Sequence, residues 1–356
     1  MQRAQRKLEH IKYAIELGDG PASTHFEDLR FLHNCLPEIN PADIVVSGQM
    51  LGKEIRFPFF IDAITGGTDA VAAINGKLAV LADFCGIPMA VGSQFGAVRD
   101  NTGLESYKIV RRHNPKGVVF ANMSALATPA QAQAAVEMLE ADALEIHLNA
   151  AQELFMPEGD KDYSGLLENI AAIQDNVSVP VIIKETGCGI AAEQYALCKK
   201  YGFSVFDCAG AGGTNFPAIE AKRAGIKLSD DFAGWGVPTC WSLIDATHIL
   251  DREDFLMASG GIRTAGDAAK AFALGADLVG ITGPILKLLL ENDVKTAVSY
   301  MLELMGDLIK YMALLGCSNV YELRKVPLVI TGETKDFIEC RGYELAAFCR
   351  KRRQEY

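Results

Sequence analysis

Lys184 closes an apolar run, Val181-Ile182-Ile183, where an ammonium is expensive to bury without a partner. A cofactor anion would serve as that partner, and so would Glu185 or Glu145; a structural salt bridge is the plain alternative. His147 and Asn149 lie two apart, and Glu145 shares their parity, so within a strand all three point to one side. One histidine among carboxylates, with no second histidine at ligand spacing, argues against zinc. Glu153 suits Mg²⁺, which keeps waters and takes its other ligands from substrate phosphates, although an acid at a helix start is an equally ordinary reading. Gly260-Gly261 and Gly283 follow β-rich runs and precede helix-like ones. Glycines there let backbone N–H groups approach a phosphate, and the helix N-terminus adds its dipole. Arg6-Lys7-x-x-His10 offers cations for a phosphate clamp folded over a site, or else a solvated basic tail. There is no GxGxxG at a first strand–helix turn, no GxSxG elbow and no P-loop, so three common enzyme classes lose support.

These residues need elements to bring them together. Apolar, β-rich runs occur at Phe59–Ile64, Ile87–Gly92, Val118–Asn122, Ala143–Asn149, Val179–Lys184, Ser204–Ala209, Phe255–Ser259 and Leu278–Ile281, with helix-like runs between them such as Pro129–Leu139, Ala191–Lys200 and Ala265–Leu274. Strands that scarcely alternate and are separated by helices read as a parallel sheet covered on its outer face. Eight such units predict an α/β fold, a (β/α)8 TIM barrel, with a doubly wound open sheet as the competing topology. In a barrel, chemistry belongs at the ends of the strands. Thr65, Ser93-Gln94, Asn122, His147 to Glu153, Lys184-Glu185, Thr214, Gly260-Gly261 and Thr282-Gly283 all fall there. The 51-residue step from Ser204 to Phe255 is rich in glycine and reads as an enlarged loop covering a ligand.

The expected organisation is an N-terminal extension over residues 1–55, a barrel over 56–290 and a C-terminal helical segment over 291–356. In the last, Ala297, Met301, Leu302, Met305, Leu308, Ile309 and Met312 share a broad face suited to packing on the barrel or on a neighbouring subunit. The closing CRKRRQEY reads as a solvated helix end. Across 356 residues, 49% are hydrophobic and 22% charged, with 34 Lys and Arg against 45 Asp and Glu, a net charge of -11. That balance excludes disorder and disfavours nucleic acid as a partner, while leaving room for a basic pocket. No apolar stretch is long enough to span a membrane, and the opening MQRAQRKLEH lacks the apolar core of a signal peptide. Nine cysteines without a CxxC pair predict free thiols in a reducing cytoplasm.

Taken in order, Arg6-Lys7-x-x-His10, Thr65-Gly66-Gly67, Val91-Gly92-Ser93-Gln94, Asn122, His147-x-Asn149-x-x-Gln152-Glu153, Lys184-Glu185-x-Gly187, Gly212-Gly213-Thr214-Asn215 and Ser259-Gly260-Gly261 resemble the type 2 isopentenyl diphosphate isomerases. The resemblance runs from about Arg6 to Glu333, and HxNxxQE is its most specific element. It implies a flavin-dependent barrel that interconverts isopentenyl and dimethylallyl diphosphates with reduced FMN, NADPH as reductant and Mg²⁺. It further implies FMN contacts at Ala63, Ile64, Thr65, Ser93, Asn122, Lys184, Thr214, Gly260, Gly261, Ile262, Thr282 and Gly283. Substrate contacts are implied at Arg6, Lys7, Ser93, Gln94, Phe95, His147, Asn149 and Gln152, and Glu153 becomes the Mg²⁺ ligand. The expected assembly is a cytoplasmic homo-oligomer, a tetramer or an octamer, whose partner is the small diphosphate substrate.

Three positions depart from or vary within that pattern. Ile64 stands where methionine is common, Thr186 where valine is common, and Phe95 where some members carry a basic residue. Gln152 does not titrate usefully and Glu153 would be tied to metal, so reduced FMN is the expected acid and base. His147, Asn149 and Gln152 then form the protein's share of the catalytic group. The competing enzyme reading is an FMN-dependent 2-hydroxy-acid oxidase or dehydrogenase on the same barrel, which would need Arg263 as a carboxylate clamp and a histidine base beside the flavin.

Overall fold

In the computed structural model, which describes residues 2–350, eight short strands carry the fold. They are β1 (Phe59–Phe60), β2 (Met89–Ala90), β3 (Val119–Ser124), β4 (Ala143–Leu148), β5 (Val181–Glu185), β6 (Val205–Asp207), β7 (Phe255–Ala258) and β8 (Leu278–Gly280). Each pairs in parallel with the next, β8 returns to β1, and a parallel bridge from Ile61 to Met89 closes the ring. All eight lie within or overlap the expected runs, but most are shorter. Closing a sheet into a barrel tilts and staggers its strands, so the ladder covers only part of each apolar run.

Side chains alternate along a strand, so every second residue faces the barrel interior. Phe60, Ala90, Phe120, Ala143, Ile182, Met257 and Leu278 fill its lower part, together with Met50 and Ile55. Those last two come from an antiparallel hairpin, Gly48–Met50 with Lys53–Ile55, which plugs the base. Two residues further along the strands the interior turns polar: Asp62 follows Phe60, Asn122 follows Phe120, Glu145 follows Ala143 and Lys184 follows Ile182. This switch builds the floor of the site.

The N-terminal extension carries defined elements. Gln2–Leu17 is a helix ended by Gly18 in the left-handed region (φ 64°), and Leu29–Phe31 pairs antiparallel with Leu328–Ile330 near the other end of the chain. The long step between β6 and β7 is not an open loop. It holds helices at Phe216–Ala224, Asp230–Ala233 and Thr239–Ile249, the first begun by Asn215, whose side chain accepts from the Ala218 N–H, with Pro217 in its first turn. Glycine there marks helix ends, as at Gly225 (φ 68°).

The helix Val294–Leu315 buries Ala297, Met301, Met305, Leu308 and Met312 against the barrel helices Ala72–Cys85 and Ala265–Ala273. Leu302, expected on the same face, is exposed. At roughly 100° per residue it falls past the edge of the buried stripe. Residues 351–356 of the basic closing run lie outside the described residues.

Candidate active site

One cavity of about 590 Å³ opens at the C-terminal ends of the strands and is roofed by the N-terminal helix. Of the expected residues, Arg6, Lys7, Ala63, Ile64, Ser93, Phe95, Asn122, His147, Asn149, Gln152, Glu153, Lys184, Thr214, Gly260, Gly261, Thr282 and Gly283 line it. Thr65, Gln94 and Ile262 do not reach its wall; all three are buried. Gln94 faces the protein instead: its Oε1 accepts from the Asn122 N–H at 3.0 Å and its Nε2 donates to the Ala135 carbonyl at 2.9 Å. It shapes the strand end beneath the site and is not positioned to touch substrate directly.

The floor is a buried charge cluster. The Lys184 ammonium donates to Asp62 at 2.8 Å and to Asp207 at 2.9 Å, and the Ser259 hydroxyl donates to the other Asp207 oxygen at 2.7 Å. These partners replace the ones the sequence suggested. Glu185 instead turns back to accept from the Thr186 and Cys188 N–H groups, and burial pushes its carboxyl up to about 7. Burial opposes the Lys184 charge, but Asp207 and Asp62 outweigh it and hold the ammonium above the ordinary lysine range. Glu145 is fully buried, and burial, then the charge of Asp62, pushes its carboxyl well above the usual range. A third carboxylate around one ammonium is most cheaply kept neutral. Among the described residues, Asp62, Glu145 and Asp207 are the one trio close enough to share a metal ion, and the Lys184 ammonium already stands between two of them.

From Glu145 a chain of hydrogen bonds leads up into the cavity. Asn122 Nδ2 donates to Glu145 at 2.8 Å, which leaves Asn122 Oδ1 as the acceptor for His147 Nδ1 at 2.8 Å. His147 is therefore the Nδ1–H tautomer, with the Nε2 lone pair available at the cavity. Burial, then the nearby charges of Lys7 and Lys184, depress its pKa to about 3.

The roof is a second cluster. Glu220, on the helix Phe216–Ala224, is fully buried and accepts from His10 Nε2 at 2.8 Å, from Gln152 Nε2 at 2.9 Å and from Arg223. Arg223 also holds Glu9 at 3.1 Å and Glu158 at 2.8 Å, while Arg6 reaches Glu158 at 3.4 Å. The sequence reading missed Glu220 and Arg223 because both lie in the segment taken as loop; the Asn215-x-Pro217 helix start was the available signal. Glu153 accepts from Asn149 Nδ2 at 2.9 Å and from the Asp160 N–H at 3.0 Å, and burial raises its pKa.

The loops after β7 and β8 fit a phosphate. Gly260 and Gly261 adopt positive φ (97° and 69°), and a Cβ on either would run into the carbonyl of Gly210 or Gly212. Gly283 begins the helix Gly283–Glu291 at the cavity wall, so backbone N–H groups and a helix start converge there. The Lys184 ammonium in the floor, the glycine cradle and the Arg6 and Lys7 cations of the roof can together hold a flavin phosphate, its ring system and a second anionic ligand.

The oxidase-type alternative gains less. The histidine base it would need is the obstacle: His248 stacks on Tyr343 with ring centroids 3.6 Å apart, on a helix that does not line the cavity.

Comparison with known proteins agrees with this geometry. The sequence pattern of FMN-dependent dehydrogenases matches residues 110–329. In solved structures the same fold occurs in a Pediococcus acidilactici protein described as a lactate oxidase, with a TM-score of 0.68 at 14% identity over 93% of this chain and 94% of that one. A chimera of (S)-mandelate dehydrogenase gives 0.62 at 17% identity over 90% and 96%. At such identities the likeness is one of fold alone. Sequence relatives are much nearer. The isopentenyl-diphosphate delta-isomerase of Geobacillus sp. (strain WCH70) is 43% identical over 98% of this chain and 100% of its own length. That of Symbiobacterium thermophilum is 42% identical over 98% of each. The chain thus belongs to the isopentenyl-diphosphate delta-isomerases, built on an FMN-dependent dehydrogenase barrel.

Proposed function

We propose that the protein moves the double bond of isopentenyl diphosphate to give dimethylallyl diphosphate, with FMN on the floor of the cavity and the diphosphate under its roof. The observation that carries this reading is the pairing of two separate anion-holding regions in one cavity, the glycine cradle after β7 and β8 and the Arg6 and Lys7 side of the roof. Reduced FMN, when bound, supplies the acid and base that add a proton at one end of the allylic unit and remove one from the other.

The protein's own groups hold and orient. Gln152, fixed by Glu220, is a neutral hydrogen-bonding group beside the substrate chain. Lys184 offers a cation to a reduced, anionic flavin while Asp62 and Asp207 keep it in place. His147 presents Nε2 to the cavity, and would bond a diphosphate oxygen only with a proton on that nitrogen, a form that the bound anion favours. The apolar walls at Ile64 and Phe95 exclude water from the reacting carbons. Glu153 would hold Mg²⁺ by one carboxylate, with diphosphate oxygens and waters completing the shell, which suits an ion that rarely sits in an all-protein cage. NADPH is the proposed reductant.

No described helix is long and apolar enough to cross a membrane, and all nine cysteines are unpaired, which supports a reducing, cytoplasmic setting. Exposed Phe232 and Trp235, with ring centroids 6.3 Å apart, favour a homo-oligomer; a tetramer or an octamer is the proposed size, which light scattering would test. The test of function is an anaerobic assay of dimethylallyl diphosphate formation by purified, flavin-loaded protein. Activity is expected only after reduction, with dithionite able to replace NADPH. In the same assay Glu153→Gln is expected to keep its flavin and lose its Mg²⁺ dependence. Isomerisation by the oxidised enzyme in air, or an unchanged Mg²⁺ requirement in that variant, would overturn the corresponding assignment.

A further inference from the structure

The root of the N-terminal helix is fastened to the loop after β6 and to the glycine cradle beside it. Asp19, just past the Gly18 helix end, bridges antiparallel to Thr214, and the Gly20 N–H donates to the Gly213 carbonyl at 2.9 Å. Thr24 lies so close to Gly212 and Gly261 that a Cβ on either glycine would collide with it. Across this seam Arg263, the residue after Gly260-Gly261-Ile262, holds Asp19 with two of its nitrogens, Nε at 3.1 Å and one terminal nitrogen. Its other terminal nitrogen donates to the Ile262 carbonyl at 2.9 Å.

A guanidinium has five N–H donors in a planar fork. Asp19 takes the Nε edge and Ile262 takes one further hydrogen, so among the described contacts two donors remain, one on each terminal nitrogen. With Ile262 on the hydrogen at the Cδ side, these two would form the end of the fork. Arg263 and Asp19 both line the cavity beside Gly260, Gly261 and Gly283, and the terminal nitrogen shared with Asp19 would stand 3.6 Å from a methyl on Gly283. That edge has the geometry to bind a phosphate bidentately while the Nε edge keeps Asp19.

We infer that Arg263 is a positioning residue linking the two halves of the site: with one edge on the flavin phosphate and the other on Asp19, it makes docking of the substrate-clamping arm depend on flavin occupancy. This rests on the flavin phosphate lying between the β7 and β8 loops, as proposed above. The physical logic is linkage. A group that touches both ligands' supports transmits binding of one to the other, and the coupling is reciprocal. An isolated Asp19–Arg263 pair at half-exposed positions would contribute little; with a phosphate fixing the guanidinium it becomes an ordered bridge.

The test uses the full chain, stripped of flavin and reloaded. Its readouts are FMN affinity by fluorescence titration, trypsin cleavage within residues 1–17, and KM and kcat of the loaded enzyme. In the parent protein FMN is expected to slow arm cleavage by about tenfold, the scale of ordinary site-to-site coupling. Asp19→Ala should abolish that protection and raise KM about tenfold with kcat nearly kept. Arg263→Gln should lose the protection and weaken FMN as well. The charge swap Asp19→Arg with Arg263→Asp should restore arm protection once FMN is saturating, yet bind FMN more weakly than the parent, because an acid then faces the phosphate. Equal arm cleavage with and without FMN in the parent overturns the coupling. So do unchanged FMN affinity in Arg263→Gln and failure of the swap to recover protection. Failure of the parent protein to bind FMN at all would instead fall on the proposed function.

Discussion

The charge cluster on the floor of the cavity and the one in its roof both set acids against bases, but they are made differently. Around Lys184 the partners stand at or just past strand ends and are mostly shielded from water, with side-chain exposures of 4% for Lys184, 0% for Asp207 and 15% for Asp62. In the roof the long side chains reach across from separate helices and loops, and Arg6 and Glu158 remain 21% and 44% exposed. Glu220, at 0%, and Arg223, at 10%, resemble the floor. Buried charges are costly to leave unpaired, whereas exposed pairs are screened and contribute little to stability. The floor is therefore part of what holds the barrel together, while the roof can open and close over a ligand without threatening the fold.

The sharpest way to break this contrast is to remove the same kind of group from each cluster. Lys184→Met leaves Asp62 and Asp207 facing each other without their cation, and should cost about 3–5 kcal/mol of stability along with flavin retention. Urea denaturation and flavin absorbance of the purified variant read both effects. Arg6→Ala should leave the denaturation midpoint nearly unchanged and appear instead in KM, by about 1.5–3 kcal/mol if the guanidinium bonds the diphosphate. Equal losses of stability in the two variants would erase the distinction between floor and roof. An unchanged KM after deleting residues 1–10 would return the arm to a solvated tail.

A pH-dependent effect comes from His147. The folded protein keeps it neutral down to about pH 3, whereas the ordinary imidazole value is 6.5. Between those values the unfolded chain binds the extra proton, so stability falls as the pH falls through this window, by up to about 1.4 kcal/mol per pH unit from this group. Comparing ligand-free parent and His147→Gln by thermal unfolding from pH 7 to pH 4, the variant should show a shallower decline. Parallel curves would mean that burial does not hold the imidazole neutral.

Much of this contrast could be read from the chain before any coordinates. Strands buried on both faces leave dense Val, Ile and Phe runs, and the polar residues that end them, Asn122, His147 and Lys184 among them, stand out against that background. Partnership was harder to see. Asp62 and Asp207 lie 122 and 23 residues from Lys184, so only ring closure brings them to it, and the sequence neighbours Glu185 and Glu145 drew attention first. Glu220 was hidden for another reason. Glycines near it were taken as loop, whereas they end short helices whose faces, and hence whose one buried acid, are set by packing in the roof. Gln94 shows the converse: a polar residue at a strand end, conspicuous in sequence, whose side chain is spent on Asn122 and Ala135.

The central claim is that the double bond moves without net consumption of reductant, in a cavity whose protein groups position ligands and leave proton transfer to reduced flavin. Its most direct test is the number of moles of dimethylallyl diphosphate formed per mole of NADPH oxidised, measured anaerobically with flavin absorbance followed in parallel. Many product molecules per NADPH are expected, with the flavin remaining reduced throughout turnover. One-to-one consumption of NADPH and product, with the flavin cycling through its oxidised form, would contradict it.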